Sequence, residues 1–394
     1  MVRLVIISDF TENFPHQILG GIHSYSRSHD PWAVCKMPVS FKERNGLRGV
    51  VEWAEKWGAN VIIGTFDPKE DVDIFRRHGI LAVAQDYKKL FSGIANITSD
   101  YVRTGEMAAR YFLDNHFRHF AFYGYHDVVW SDERCRGFRN EIARHGFEDS
   151  FYKYDKVELG SLWSLDYRPV ARWLRSLPKQ LALMACDDNQ GTKIAEICRT
   201  GGIRVPEDIA LLGVDNDEVV CTLTTDPSMS SVALDIFNAG IQTAKMIDDV
   251  LSHRIETPYN IYIQPLKIVE RASTEIFPTS DEAVLRAIKF IHRSVSQPIS
   301  VEDVTREAAV SRRLLETRFL KETGTTVLKF INGFKMKTLA TLLTEHTTPI
   351  DDLVELIGER EGRNVSRKFK QVYGCTPTEY RVQHSSLKAP ELPM

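Results

Sequence analysis

Three aspartates and one arginine sit where apolar runs give way to polar segments. Asp187 closes "LALMACD", Asp215 closes "IALLGVD", Asp100 follows "ANITS", and Arg134 begins a helical pattern after "HDVVWSDE". A carboxylate at the end of a buried strand has two chemistries open to it. It can cap a following helix by accepting from backbone N–H groups. It can also meet a ligand bound outside the strand ends of an open α/β sheet. Arginine adds a fork of donors, which carboxylates lack. Far along the chain, "SRKFKQVYGCTPTEYR" (366–381) is basic, aromatic and amphipathic at once, a composition suited to phosphate neutralisation.

The elements that must position the first group lie within the first 270 residues. The runs "LVIIS", "NVIIGTF", "ILAVAQ", "HFAFYGY", "LALMACD" and "IALLGVD" read as buried strands. Between them stand amphipathic patterns such as "GLRGVVEWAEKW", "RTGEMAARYFLDN", "RCRGFRNEIARHG" and "TKIAEICRTGG", several ending at Gly, a common helix stop. Strand alternating with helix predicts βαβ units in a mostly parallel, doubly wound sheet. About 270 residues is long for one such sheet, so two similar lobes are expected.

"ERASTEIFPTSDE" (270–282) is small, polar and proline-containing, and reads as a linker. The chain beyond it is helical in pattern throughout. Ser300 is placed to cap a helix, with Asp303 at the capping-box position, and Val301, Val304, Ala308 and Ala309 form its apolar stripe. "AAVS" is a tight turn and Ser311 caps a second helix. That helix is expected to turn Leu314, Leu315 and Phe319 inward and Arg312, Arg313, Glu316 and Thr317 outward. The arrangement occurs again: "PIDDLVELIG", the turn "EREG", then "RNVSRKFKQVYG". This last helix is expected to bury Val365, Phe369 and Val372 and to present Arg363, Asn364, Arg367 and Lys368. "TVLKFINGFKMKTLATLLTEH" joins the two units as a connecting helix. Each unit has the helix-turn-helix pattern, whose second helix enters the DNA major groove. Arginine can bond guanine bidentately and asparagine adenine.

Residues 281–384 carry 17 Lys+Arg against 14 Asp+Glu, whereas residues 1–280 carry 32 against 38. A basic module on an acidic body points to a nucleic-acid partner. The six cysteines show no C-x-x-C spacing and no clustering with histidine, as expected of free thiols in a reducing compartment. "MVRLVIISDF" lacks the longer apolar core and cleavage site of a signal peptide, and no apolar run reaches 18 residues. A cytoplasmic protein without a membrane span is the expectation. "SDFTENFPHQILGG" is not a G-x-G-x-x-G turn, and the sequence contains neither G-x-x-x-x-G-K-[ST] nor G-x-S-x-G. No enzyme, cofactor or metal site is expected.

"FKQVYGCTPTEYR" and "RFLKETGTTVLKFI" resemble the AraC/XylS-type DNA-binding domain over about 100 residues. The resemblance implies two recognition helices in successive major grooves. One departure stands out: the family usually has an aromatic after the glycine corresponding to Gly358, and this chain has Glu359, so the second turn is expected to pack differently. "ITSDYVRTGEMAARYFL", "ERCRGFRNEI", "MACDDNQGTKIAEI" and "VPEDIALLGVDNDE" resemble the LacI-type periplasmic-binding-protein fold, in which two α/β lobes clamp a small ligand. That resemblance implies that Asp100, Arg134, Asp187 and Asp215 share one cleft, with Asp9, Phe10, Trp130 and Asp235 as further candidates. Asp188 is expected to point into the lobe. A sugar fits such a set, because carboxylates accept from neighbouring hydroxyls while an aromatic stacks on its face.

The expected organisation is a sensor over 1–272, a linker over 273–282, a DNA-binding domain over 283–384 and a tail over 385–394. The two resemblances together imply a sugar-dependent transcription activator with D-xylose as effector. Its expected partners are operator DNA, a second protomer and RNA polymerase. The alternatives are a repressor, or a regulator sensing another pentose or a purine. A solute-binding protein of a transporter is disfavoured by the missing signal peptide and the basic tail.

Overall fold

The computed structural model describes residues 1–10, 13–85, 90–157, 167–276, 279, 281–345, 348–359 and 362–384. The chain divides into two compact units, Met1–Ile276 and Phe277–Met394. In the first unit, β1 (Arg3–Ile7), α1 (Asn13–Arg27), β2 (Ala33–Met37), α2 (Val39–Trp57), β3 (Val61–Thr65), α3 (Asp73–Arg77), β4 (Leu81–Gln85) and β5 (Ala95–Ser99) build one lobe. There follow α4 (Tyr101–Asp114), β6 (His119–Tyr125), α5 (Val129–Arg144), β7 (Phe151–Val157), α6 (Arg168–Ser176), β8 (Leu181–Ala185), α7 (Asp188–Gly201), β9 (Ile209–Val214) and β10 (Ser230–Leu234), which build the other. The chain returns to the first lobe through α8 (Ile236–Leu251) and β11 (Ile261–Ile263), then ends in the second with β12 (Pro265–Val269).

Each sheet has six strands, ordered β11-β5-β4-β3-β1-β2 and β12-β10-β9-β8-β6-β7. All pairings are parallel except β10 with β12. Strand alternation explains why the parallel runs are apolar throughout. Val5 and Ile7 of β1 pack with α2 and α3 on one face, while Leu4 and Ile6 join the core that includes α1 on the other. α1 and α8 pack closely: a Cβ on Gly21 would lie 2.0 Å from the Phe237 carbonyl oxygen. The chain passes between lobes at three adjacent places, and these are bonded to one another. The Asp100 N–H donates to the Ile263 carbonyl (3.0 Å) and the Asp235 N–H to the Gln264 carbonyl (2.9 Å).

The α/β class is as the sequence implied, and the elements it concealed have physical reasons. β2 is an edge strand of alternating exposure, and β10 opens with two buried serines, so neither makes a long apolar run. The segment 270–276, which composition reads as linker, is tied into the first unit. The Ser273 hydroxyl donates to the Leu211 carbonyl (2.6 Å) and accepts from the Ser230 N–H (2.8 Å), and Thr274 bonds Ser230 (2.6 Å) and Tyr111 (2.8 Å). Small polar residues here satisfy buried backbone groups. The tail 385–394 lies outside the described residues.

The second unit is helical: α9 (Glu282–Arg293), α10 (Val301–Ala308), α11 (Arg312–Thr323), α12 (Val327–Glu345), α13 (Ile350–Leu356), α14 (Gly362–Tyr373) and α15 (Pro377–His384). The Ser300–Asp303 capping box forms, and the Ser311 side chain caps α11. Three expected inward residues face solvent. Ala309 is exposed because it ends α10 in the left-handed region (φ 55°). Leu314 is exposed because its neighbour Leu315 takes the core, and adjacent helical residues point about 100° apart. Val372 is exposed because Tyr373 instead closes the end of the core, stacked on Phe369 (4.6 Å) and tilted against Tyr380 (5.1 Å). Among the described residues, no helix is long and apolar enough to cross a membrane.

Candidate functional site

A cleft of about 520 Å³ opens at the strand ends of the two lobes. Arg134, on the second turn of α5 and only 4% exposed, is one of its lining residues. The guanidinium carbon lies 5.4 Å from the centre of the Tyr101 ring and 5.3 Å from that of Trp130. Nη1 donates to the Cys186 carbonyl (2.5 Å) and Nη2 to Asp215 Oδ1 (3.1 Å), while Nε finds no partner among the described residues. Burial is the largest single influence and opposes this charge, but Asp215, Tyr101, Cys186 and Asp187 together outweigh it and hold the pKa above the usual value.

Asp187 and Asp215 reach the cleft from the ends of β8 and β9. Asp187 has both of its possible chemistries. One oxygen accepts from the Gln190 N–H (2.7 Å), capping α7, and the side chain also lines the cleft. Burial, against the relief of that N–H, pushes its pKa up to about 6. Asp215 is half-buried and sits at φ 101°, with Asn216 following at φ 52°. Two successive non-glycine residues in the left-handed region mark a strained turn, held here by its surroundings. Arg271 donates to the Asn216 side chain (2.9 Å) and to Glu218 (2.8 Å), and Asp188 accepts from the Asp217 N–H (2.8 Å) and the Ser231 hydroxyl (2.6 Å). Asp188 is thus buried inside the lobe, where desolvation drives its pKa well up.

Asp9 and Trp130 also line the cleft, whereas three expected residues do not. The Asp100 side chain accepts from the Arg103 N–H (3.0 Å), because the residue begins the helix that crosses between lobes. Asp235 stands at the equivalent start of α8 and accepts from the Asn238 amide (3.1 Å). Phe10 packs on the apolar core with Lys36 Nζ 5.0 Å above its ring, and Phe14 faces the cleft instead. The first lobe brings residues that the sequence did not single out: Lys42, Glu43, Thr65, Asp67 and Gln85. Thr65 and Gln85 end β3 and β4, so the strand-end rule applied to those runs would have found them. Lys42 gave no such signal; its ammonium donates to the Thr65 carbonyl (2.9 Å) and Glu70 (3.0 Å).

Apart from the buried Asp188, the described residues of the cleft include six carboxylates, Asp9, Glu43, Asp67, Asp187, Asp215 and Asp217, against two cations, Lys42 and Arg134. Phe14, Phe66, Tyr101, Tyr125 and Trp130 supply ring surface. Such a site accepts hydrogen bonds from a neutral, hydroxyl-rich molecule and repels anions. No group of three or more His, Cys, Asp or Glu residues able to hold a metal ion occurs among the described residues.

The second unit offers a different surface. Arg313 and Thr317 are exposed on α11, and Arg312 is exposed but paired with Glu302. Glu316, expected outward, is half-buried and turns toward the start of α12, near the Val327 N–H (3.5 Å). On α14, Arg367 is exposed and donates to the Asn364 side chain (3.0 Å), while Lys368 lies 3.6 Å from Glu359. The Arg363 side chain lies outside the described residues.

Comparison with known proteins extends this picture. A family model for a periplasmic binding protein-like domain matches residues 109–274, and one for a helix-turn-helix domain matches 304–383. The xylose operon regulatory protein of Escherichia coli (strain K12) is 26% identical over 397 residues, covering 98% of each chain. The multiple antibiotic resistance protein MarA of Salmonella typhimurium is 30% identical over 95 residues, which are 24% of this chain and 75% of that one. The solved structure of a xylose-binding transcription activator superposes with a TM-score of 0.63 at 24% identity, covering 98% of both chains. That likeness shows a shared fold through both units.

Proposed function

We propose that this chain is an AraC-type helix-turn-helix regulator with a periplasmic-binding-protein-like sensor, and that it is a sugar-dependent transcription activator with D-xylose as its effector. The observation that carries the reading is the Arg134 site. A buried guanidinium between two rings, flanked by Asp187 and Asp215, offers donor and acceptors to adjacent hydroxyls in one place. The choice of D-xylose rests on the relatives, whose names carry that sugar along nearly the whole chain. The carboxylate excess favours the free sugar over a phosphorylated one.

In this mechanism the lobes close on the sugar about the three bonded crossings near Asp100, Asp235 and Gln264. Closure changes how two protomers pack and hence the spacing of their four helix-turn-helix units on DNA. The sugar drives the change only through its higher affinity for the closed state. The complex then engages RNA polymerase, and the protein works in the cytoplasm. A calorimetric screen of pentoses, hexoses and D-xylose 5-phosphate against the full chain tests the effector. D-xylose should bind tightest and the phosphate should not bind. Tighter binding of the phosphate would overturn the assignment.

A further inference from the structure

Lys335 stands halfway along α12. Its side chain is 2% exposed. The ammonium donates to the carbonyls of Gln297 (3.1 Å) and Gly358 (3.2 Å) and lies 3.4 Å from Glu359 Oε1. Three N–H donors therefore meet three acceptors, which satisfies the group completely. The acceptors come from separate places. Gln297 belongs to the loop between α9 and α10, in the first helix-turn-helix unit. Gly358 and Glu359 form the turn between α13 and α14, in the second.

The apolar packing leaves this join to polar groups. One core contains Val284, Val304, Leu315, Phe319 and, from α12, Ile331. The other contains Leu353, Val365, Phe369 and, from α12, Met336. Lys335 stands between Ile331 and Met336, at the seam. The backbones meet there as well: a Cβ on Gly358, which sits at φ 65°, would lie 2.3 Å from the Gln297 carbonyl. Glu359 occupies the position where the AraC-type pattern usually has an aromatic, and it serves two cations, Lys335 and Lys368. Burial pushes the Lys335 pKa down, and Glu359 opposes that. A buried ion pair is a poor source of stability, since an apolar side chain of similar size often does as well. What the ion pair adds is direction: three short contacts fix one arrangement of the loop, the helix and the turn.

We propose that the Lys335–Glu359 pair is a positioning device that sets the register between the two helix-turn-helix units, and so the spacing at which this chain reads two DNA motifs. The proposal rests on the DNA-reading function above and goes beyond it by naming what fixes the spacing.

The test is selection by the full-length protein from a pool of random 40-bp duplexes, followed by sequencing, for wild type, Lys335→Met and Glu359→Gln, with a thermal melt of each. Wild type should enrich, within each half-site read by one protomer, two motifs at one separation. Lys335→Met should enrich the same motifs with separations spread over several base pairs, and bind the wild-type duplex about tenfold more weakly, as expected when linked modules lose their geometry. A merely structural role would lower the melt and the enrichment without changing the separation. Glu359→Gln, which keeps shape and an acceptor, should give a narrower spread, and it decides the matter if Lys335→Met fails to fold. A single wild-type separation in the folded variants would overturn the proposal. A wild-type chain that enriches no sequence would overturn the DNA reading itself, and the positioning role with it.

Discussion

Arginine is used in opposite ways at the two ends of this molecule. In the cleft, Arg134 is nearly inaccessible, clamped between Tyr101 and Trp130 and bonded to Asp215 and a carbonyl. On α11 and α14, Arg313 and Arg367 extend into solvent. On the proposed function, the difference follows from what each must bind. A neutral sugar offers only hydrogen bonds, so the protein must hold its donors and acceptors in place beforehand. DNA brings its own charge, and an exposed cation is drawn to it without a prepared socket.

The largest effect should come from breaking the cleft side of this contrast. Arg134→Ala leaves the Cys186 carbonyl and the half-buried Asp215 without their donor, which costs about 1–3 kcal/mol because water can still reach Asp215. Urea unfolding of the first unit should show a loss near that size, and calorimetry should show no sugar binding. A loss below about 1 kcal/mol would mean that Arg134 is as weakly coupled as a surface residue.

On the DNA side, Arg313→Ala and Arg367→Ala should each weaken operator binding by about 1–3 kcal/mol if the side chain reads a base. Stability and sugar affinity should stay near wild type. Equal losses on scrambled DNA, with a shallower dependence on salt, would reassign both residues to phosphate.

The pH dependence should separate the two units. His292 of the second unit stacks 4.0 Å from Phe334, and burial lowers its pKa to about 4. The folded state therefore favours the neutral ring. Its contribution is complete above the unfolded value of about 6.5 and is lost as pH falls toward 4, by about 1–3 kcal/mol. Asp187 runs the other way. Its folded pKa is raised to about 6, so ionisation costs stability as pH rises from about 4 through 6. Asp187→Asn keeps a capping side chain. It should stabilise the first unit by about 1 kcal/mol above pH 6 while weakening sugar binding. Melts of wild type and variants across pH 4–8 would show both trends, and parallel trends in the two units would contradict the assignment.

The two regions also differed in how much the sequence disclosed. β8 and β9 are continuous apolar runs, so the aspartates that end them stood out. Asp100 and Asp235 have the same local look, a strand followed by a helix. They sit where the chain changes lobes, and sequence spacing does not carry that information. Lys42 reaches the cleft from α2, without any strand-end cue. Ser273 and Thr274 read as linker because hydrogen bonds, not apolar contacts, hold them. In the second unit the capping serines and the spacing of Leu315 with Phe319 and Val365 with Phe369 made the helices plain. The Lys335–Glu359 join was visible only as a missing aromatic, because its partners are 23 or more residues away or are backbone carbonyls.

On the proposed function, the cleft binds a pentose through Asp215 and Arg134. D-xylose titration calorimetry on wild type and Asp215→Ala, beside thermal melts with and without the sugar, tests it most directly. Wild type should bind, and its melting temperature should rise with sugar concentration. Asp215→Ala leaves the buried Arg134 without its carboxylate, so its Tm without sugar should fall; below that Tm it should keep its basal DNA binding and show neither heat of binding nor a sugar-dependent shift in Tm. A variant that binds D-xylose as tightly as wild type would contradict the account.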